Sequence, residues 1–375
     1  MVDLAWKILL HDKTRFAITV AGVGFAVTLV FVQVGLFEGL LSNASVTIEH
    51  TRADLWVTAR NTPNIDFSNS FSEMLVQRVR SVPGVERADN LIVWFAIVAL
   101  PTGVKENVVV YALEDFARWG LPWSVIEGDP RDLRRGKFVM LDESARKRFG
   151  DFAVGDFREF SGRRLEIIGR TREARSFTTN PVAFMDYRVA QSLVPNELHN
   201  RATYILVKLA PGADPSAVRA EIGRRLPFND VRSRDEWATR SRSYWTDSTG
   251  LGLNMMMTVF LGCLVGVVVV AQTLYTSAME HIKEFATIKA IGGRDADVYR
   301  ILGKQAVIAA VLGFGLGMVA SLALMPVMRS IDLVLIISPK LAFGVFVGTV
   351  ILCTAAALVS FRKVAGLDPA LVFRS

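Results

Sequence analysis

Cysteine and histidine are scarce, with two of the first and four of the second in 375 residues. Both cysteines, Cys263 and Cys353, fall inside uncharged apolar runs. The hydrophilic part of the chain therefore has no disulfide staple, and cysteine says nothing about its compartment. No two of His11, His50, His199 and His281 stand three or four apart, and no Cys-x-x-Cys occurs, so no metal site is expected. The G-x-x-x-x-G-K-[S/T] loop of P-loop ATPases is missing, so the chain does not hydrolyse ATP in that manner. There is no G-x-S-x-G elbow either. Glu114-Asp115 and Asp142-Glu143 are neighbours in sequence, which point apart in most secondary structures and suit a solvated surface. No catalytic residue and no cofactor site is expected; the chain reads as a non-enzyme. The formal charge of +7 fits loops rich in Lys and Arg beside a membrane, and no motif for nucleic acid accompanies it.

Charge itself is missing from four stretches: residues 17–37, 251–278, 306–328 and 341–361. Each reaches the roughly 20 residues that a helix needs to cross about 30 Å of hydrocarbon. A half-apolar composition (51%) decides little alone; its concentration in four runs decides for a membrane protein. The first run is too long for the h-region of a signal peptide, and Ser42-Asn43-Ala44 is a poor cleavage site, so an uncleaved anchor is expected. The spacing predicts an interfacial amphipathic helix over 1–16 and spans over 17–41, 251–278, 305–328 and 341–361. A loop at 279–304, a short loop at 329–340 and a tail at 362–375 complete the membrane part. Lys and Arg crowd the N-terminal tail, the 279–304 loop and the C-terminal tail, which predicts that all three are cytoplasmic and that 42–250 is outside.

Residues 42–250 have the texture of a folded α/β domain. Strands are predicted over 53–59, 85–100, 107–112 and 203–209, and helices over 71–82, 143–149 and 215–226. Short apolar bursts between Gly, Arg and Asp turns over 128–194 suggest a β-rich subdomain inserted into the α/β domain. Trp237, Tyr244 and Trp245 are expected near the outer interface, on a helix entering the second span. Small residues four apart, Gly35/Gly39, Gly262/Gly266, Gly313/Gly317 and Gly344/Gly348, predict close packing of the spans.

The most informative stretch is 280–293, a charged amphipathic segment between two spans. It places Ile282, Phe285, Ala286 and Ile288-Lys289 on one side and Glu280, Lys283, Glu284 and Thr287 on the other; Ala290 follows. Ile291-Gly292-Gly293 then ends it with a glycine stop. Glu280-His281-x-Lys283-Glu284-Phe285-Ala286-Thr287-Ile288-Lys289-Ala290-Ile291-Gly292-Gly293 resembles the E-R-x-x-E-I-x-x-L-x-A-x-G motif of the FtsX-like, MacB-type (type VII) ABC transporter permeases. His281 departs from the usual Arg. Ala365-Gly366-Leu367-Asp368-Pro369-Ala370 resembles that family's terminal A-x-x-x-P-A signature, and the opening residues 4–16 look like the DevC-type exporter branch.

The resemblance implies a permease dimer in the bacterial inner membrane, bound to two copies of a cytoplasmic ATPase that carries the ATP and Mg. It also implies a porter-like plus sabre-like periplasmic domain, a periplasmic adaptor and an outer-membrane channel. Glu280 to Gly293 would couple to the ATPase, and force rather than cargo would pass through the spans, which are bathed in membrane lipid. Regulation of a cell-wall hydrolase, lipoprotein extraction and a stand-alone receptor are the alternatives.

Overall fold

The computed structural model describes residues 13–280, 287, 295–331 and 333–365. They form two compact units, Leu40–Leu251 and a bundle of long helices. Span 1 is Lys13–Asn43, span 2 Leu251–Glu280, span 3 Asp295–Ser330 and span 4 Pro339–Ala365. All four are long and apolar enough to cross a membrane. Of the helix expected over 1–16, only 13–16 are described, as the first turn of span 1.

Span 3 begins at Asp295 rather than at 305 because Val298, Leu302, Ala306 and Ala310 recur at helical spacing and are buried. Its 36 residues rise about 54 Å, well beyond the ~30 Å of hydrocarbon. The bundle core joins Val23, Val27 and Phe31 of span 1 to Val270 and Leu274, Ala306 and Ala310, and Ala356 and Ala357 of the other spans.

Between spans 3 and 4 the chain does not loop away. Residues 333–338 (LVLIIS) take no regular structure and lie on span 1 as a strap, with Leu335 buried. The Ile336 amide donates to the Gly35 carbonyl at 3.1 Å. Irregular backbone at this depth is tolerated only where protein covers it. Gly35 and Gly39 supply that cover: a Cβ at Gly35 would lie 2.7 Å from the Ile336 carbonyl oxygen, and one at Gly39 would fall inside the Val334 carbonyl. The small pair in span 1 thus seats a strap, where helix packing was expected.

The domain is built on a ten-stranded mixed sheet ordered β12-β1-β11-β3-β4-β9-β6-β8-β5, with β7 beside β3 and β8. Here β1 is Leu55–Ala59, β3 Val85–Ala99, β4 Lys105–Leu113, β5 Val125–Glu127, β6 Phe138–Asp142 and β7 Phe157–Phe160. The others are β8 Arg163–Thr171, β9 Val182–Asp186, β11 Tyr204–Leu209 and β12 Asn229–Ser233, while β2 (Phe71–Ser72) and β10 (Arg201–Ala202) form a separate pair. Strand β3 is rich in β-branched and aromatic residues and runs between Gly84 (φ +88°) and Gly103 (φ +83°), which make the turns at its ends. Its first half pairs with β11 and its second half with β4, so one strand holds the sheet together.

Residues 128–194 do not form a sheet of their own: β9 pairs in parallel with β4, and β6, β8 and β5 extend the same sheet. On β1, Leu55 and Val57 face α1 (Leu75–Arg80) and α2 (Pro215–Arg225), whereas Trp56 faces α3 (Arg234–Ser243). The helix expected over 71–82 starts only at Leu75, because Phe71 pairs with Ala202 and is buried. Trp237 sits fully buried against Tyr204, with ring centroids 5.8 Å apart, and Trp245 is buried too. Trp237 is buried because α3 packs Trp237 and Ala238 onto the sheet.

Candidate coupling site

Of the coupling residues read from sequence, Glu280 and Thr287 are described. His281, Lys283, Glu284, Phe285, Ile288, Lys289, Ala290, Ile291, Gly292 and Gly293 lie outside the described residues. Thr287 is exposed. Glu280 closes span 2, and the next described helix opens at Asp295, so the stretch 281–294 is bracketed by the ends of two long helices.

The Glu280 carboxylate is not simply solvated. Arg15, in the first turn of span 1, grips it with two nitrogens: Nη2 donates to Oε1 at 2.8 Å and Nη1 donates to Oε2. A planar guanidinium fixes both distance and orientation in such a fork. The start of the charged segment is thereby tied to the base of span 1, across 265 residues of sequence. Sequence reading counted Arg15 only toward the charge of the N-terminal tail. The usable signal was depth: Arg15 and Glu280 both stand where a span leaves the hydrocarbon on the same side.

Within the domain, the segments that continue span 1 and lead to span 2 are bonded side by side. Ser241 Oγ donates to the Ala44 carbonyl at 2.6 Å, and Arg242 donates to Ser45 Oγ at 2.9 Å and to the Glu49 carboxylate. Trp245 stacks on Phe177 at 3.8 Å, and Phe67 packs against Trp245 at 5.6 Å. Asp66, next to Phe67 in the chain, is only 3 % exposed and accepts from Ser176 Oγ at 3.0 Å, while its Oδ1 has no partner among the described residues. Burial pushes its carboxyl up from 3.8 to about 6, against the pull of the Ser176 hydroxyl and the Phe177 amide. The titratable groups facing it are the phenols of Tyr111 and Tyr204, both also pushed upward, chiefly by burial.

Because the folded state holds this proton more tightly than the unfolded chain, its stabilisation is complete below about pH 4. It is lost as pH rises through about 6. The loss amounts to about 3 kcal/mol before discounting the polar bonds that the ion strengthens. Asp66→Asn is expected to flatten this decline and to stabilise the domain at pH 7.5 by about 1–2 kcal/mol. Thermal unfolding of the whole chain at pH 5 and 7.5 checks it; identical pH slopes for both proteins would refute the assignment.

The glycine pairs divide by neighbour. A Cβ at Gly262 or Gly266 would meet Leu29 or Ala26 of span 1 at 2.8 Å, and one at Gly313 or Gly317 would meet Val23 or Val27 at 2.5 and 2.6 Å. Span 1 therefore lies in glycine grooves of spans 2 and 3. Gly344 and Gly348 seat no neighbour: among the described residues, no atom beyond their own helix backbone lies within 4 Å of a Cβ at either.

The family model for the MacB-like periplasmic core domain matches residues 16–225, and that for the FtsX-like permease C-terminal region matches 256–369. An uncharacterized ABC transporter permease of Mycobacterium tuberculosis H37Rv is 24% identical over 374 residues, covering 99% of this chain and 97% of that protein. One from Mycobacterium bovis is 24% identical over 379 residues, with the same coverage. The periplasmic region of MacB from Actinobacillus actinomycetemcomitans aligns with a TM-score of 0.39 at 13% identity, over 49% of this chain and 90% of that one. The extracellular domain of the noncanonic ABC-type transporter YknZ from Gram-positive bacteria aligns at 0.37 and 15%, over 48% of this chain and 99% of that one. With its domain held between spans 1 and 2 and its permease region behind it, the chain belongs to the MacB/FtsX-like family of ABC transporter permeases.

Proposed function

We propose that this chain is the non-catalytic membrane subunit of an ABC-type exporter, coupling ATP hydrolysis in a separate subunit to movement of the large domain. The observation that carries this reading is the bracketing of 281–294 by two helix ends, one of them tied to span 1 through Arg15 and Glu280. Two ATPase subunits, holding the ATP and Mg, grip this stretch in a permease dimer. The stretch and both termini face the cytoplasm, and the domain faces the periplasm. Lys283, Glu284 and Lys289 meet the ATPase surface, and Phe285 and Ile288 anchor the segment against the bundle. Glu280, committed to Arg15, holds its start in place.

Closure of the ATPases then displaces the ends of spans 1, 2 and 3 together, and the bonded segments at 40–50 and 234–251 pass the motion into the sheet. Driving such a two-state bundle from 1:99 to 99:1 takes roughly 5.5 kcal/mol of differential ATP affinity. A periplasmic adaptor and an outer-membrane channel complete the export path.

The test is Glu284→Lys. It is expected to leave membrane insertion intact and to lower permease-dependent ATPase turnover about tenfold, the factor that 1.4 kcal/mol of lost coupling gives. Unchanged turnover would count against the reading. Proteins copurified in mild detergent separate the rival uses of this architecture. An ATPase with an adaptor supports export, a cell-wall hydrolase supports regulation, an acylated protein supports lipoprotein extraction, and no ATPase at all would leave a receptor.

A further inference from the structure

Spans 1, 2 and 4 enclose a cleft of about 370 Å³. Its walls include Val27 and Val30 of span 1 and Gly266 of span 2, and span 4 contributes Gly344 and Gly348. Because no other element among the described residues comes within 4 Å of a Cβ at Gly344 or Gly348, the two glycines deepen the cleft instead of seating a neighbour. Polar matter is almost absent from it. The Thr349 hydroxyl is spent on the Val345 carbonyl of its own helix at 2.7 Å, which leaves Lys340 as the charged group at one end. Lys340 is exposed, and no ion pair to it occurs among the described residues.

We propose that this cleft holds one acyl chain of an anionic phospholipid, with Lys340 on its phosphate. The dimensions agree: from Lys340 to Cys353 span 4 rises about 20 Å, a little more than the ~15 Å of one leaflet. The chemistry agrees too. A hydrocarbon wall without a free donor or acceptor rejects polar ligands, whereas a basic residue at the mouth of a groove between spans attracts anionic head groups. The leaflet is fixed by connectivity, since span 4 begins at the end from which span 1 continues into the domain.

Cys263 and Cys353 are the chain's two cysteines, and both line the cleft. This permits a direct test on the full chain. Cys353→Ala protein labelled at Cys263 with bimane is placed in phosphatidylcholine vesicles. These carry equal fractions of brominated phosphatidylglycerol or of brominated phosphatidylcholine. The anionic lipid is expected to quench about fivefold more effectively, the ratio that about 1 kcal/mol for one basic residue gives. Lys340→Gln, a surface change that leaves the packing untouched, is expected to abolish this preference. Gly344→Leu with Gly348→Leu is expected to reduce quenching by both lipids. Equal quenching by the two lipids in the Lys340 protein would overturn the proposal. So would a preference that survives Lys340→Gln, or Cys263 crosslinks between two copies in place of quenching.

Discussion

Gly39→Val is expected to stop the chain from accumulating as a folded membrane protein, and Gly39→Ala to lower its thermal midpoint in detergent sharply. The reason is what a Cβ would strike. At most glycines in the bundle the neighbour is a side chain, which can turn away; at Gly39 it is the carbonyl of Val334, which cannot. The strap would have to lift. With it would go the bond from the Ile336 amide to Gly35, worth about 0.5–1.5 kcal/mol, and the burial of Leu335. Overpacking against side chains costs about 1–3 kcal/mol and more where nothing can yield, so about 3–4 kcal/mol is expected for Gly39→Ala. Gly344→Ala is the matched control. It adds the same methyl to another span with no atom in its way and should be neutral or stabilising by up to about 1 kcal/mol. Melting both proteins in the same detergent decides the matter. If the two substitutions shift the midpoint alike, the strap is not seated on span 1 as described.

That contrast also marks how far the sequence could be read. Runs without charge announce their length directly, so spans 1, 2 and 4 were legible to within about four residues, whereas span 3 begins ten residues before its expected start; β3 was legible between its two glycine turns. The roles of the small-residue pairs were not. Gly35/Gly39, Gly313/Gly317 and Gly344/Gly348 share one pattern, yet one seats a strap, one receives span 1 and one lines a cleft. A missing side chain records only that something comes close or that space is left open; the identity of the neighbour is tertiary information. The strap itself, LVLIIS, has the composition of a strand or a helix end, and its irregular path follows from the partner it lies on. The burial of Trp237 was hidden for a related reason. Tryptophan near a span suits an interface, but the inward face of α3 was set by the sheet beneath it. The parallel pairing of β4 with β9 likewise joins segments that local pattern treated as separate subdomains. The motif at 280–293 is contiguous and so stands out in the sequence, whereas the partner of its first residue lies 265 positions away.

That partner gives the last prediction. Arg15 and Glu280 retain 28% and 51% of their side-chain exposure, and ion pairs this open contribute about 0–1 kcal/mol to stability. Breaking the fork should therefore leave the melting point nearly unchanged. Its consequence lies in geometry: the fork ties the last residue of span 2 to the base of span 1. Arg15→Glu is expected to cut permease-dependent ATPase turnover tenfold or more, because 1.4 kcal/mol of lost bias between two packings of the bundle already gives that factor. Glu280→Arg should do the same by setting two cations together. Combining the two substitutions rebuilds the pair in reverse. It should return turnover to within about threefold of the starting protein, a coupling energy of the size that contacting residues show in double-mutant cycles. ATPase turnover with and without the permease, for all four combinations in one vesicle composition, provides the cycle. A double variant no better than its parents would mean that each charge acts separately on the ATPase, and harmless single variants would remove the fork from the coupling path altogether.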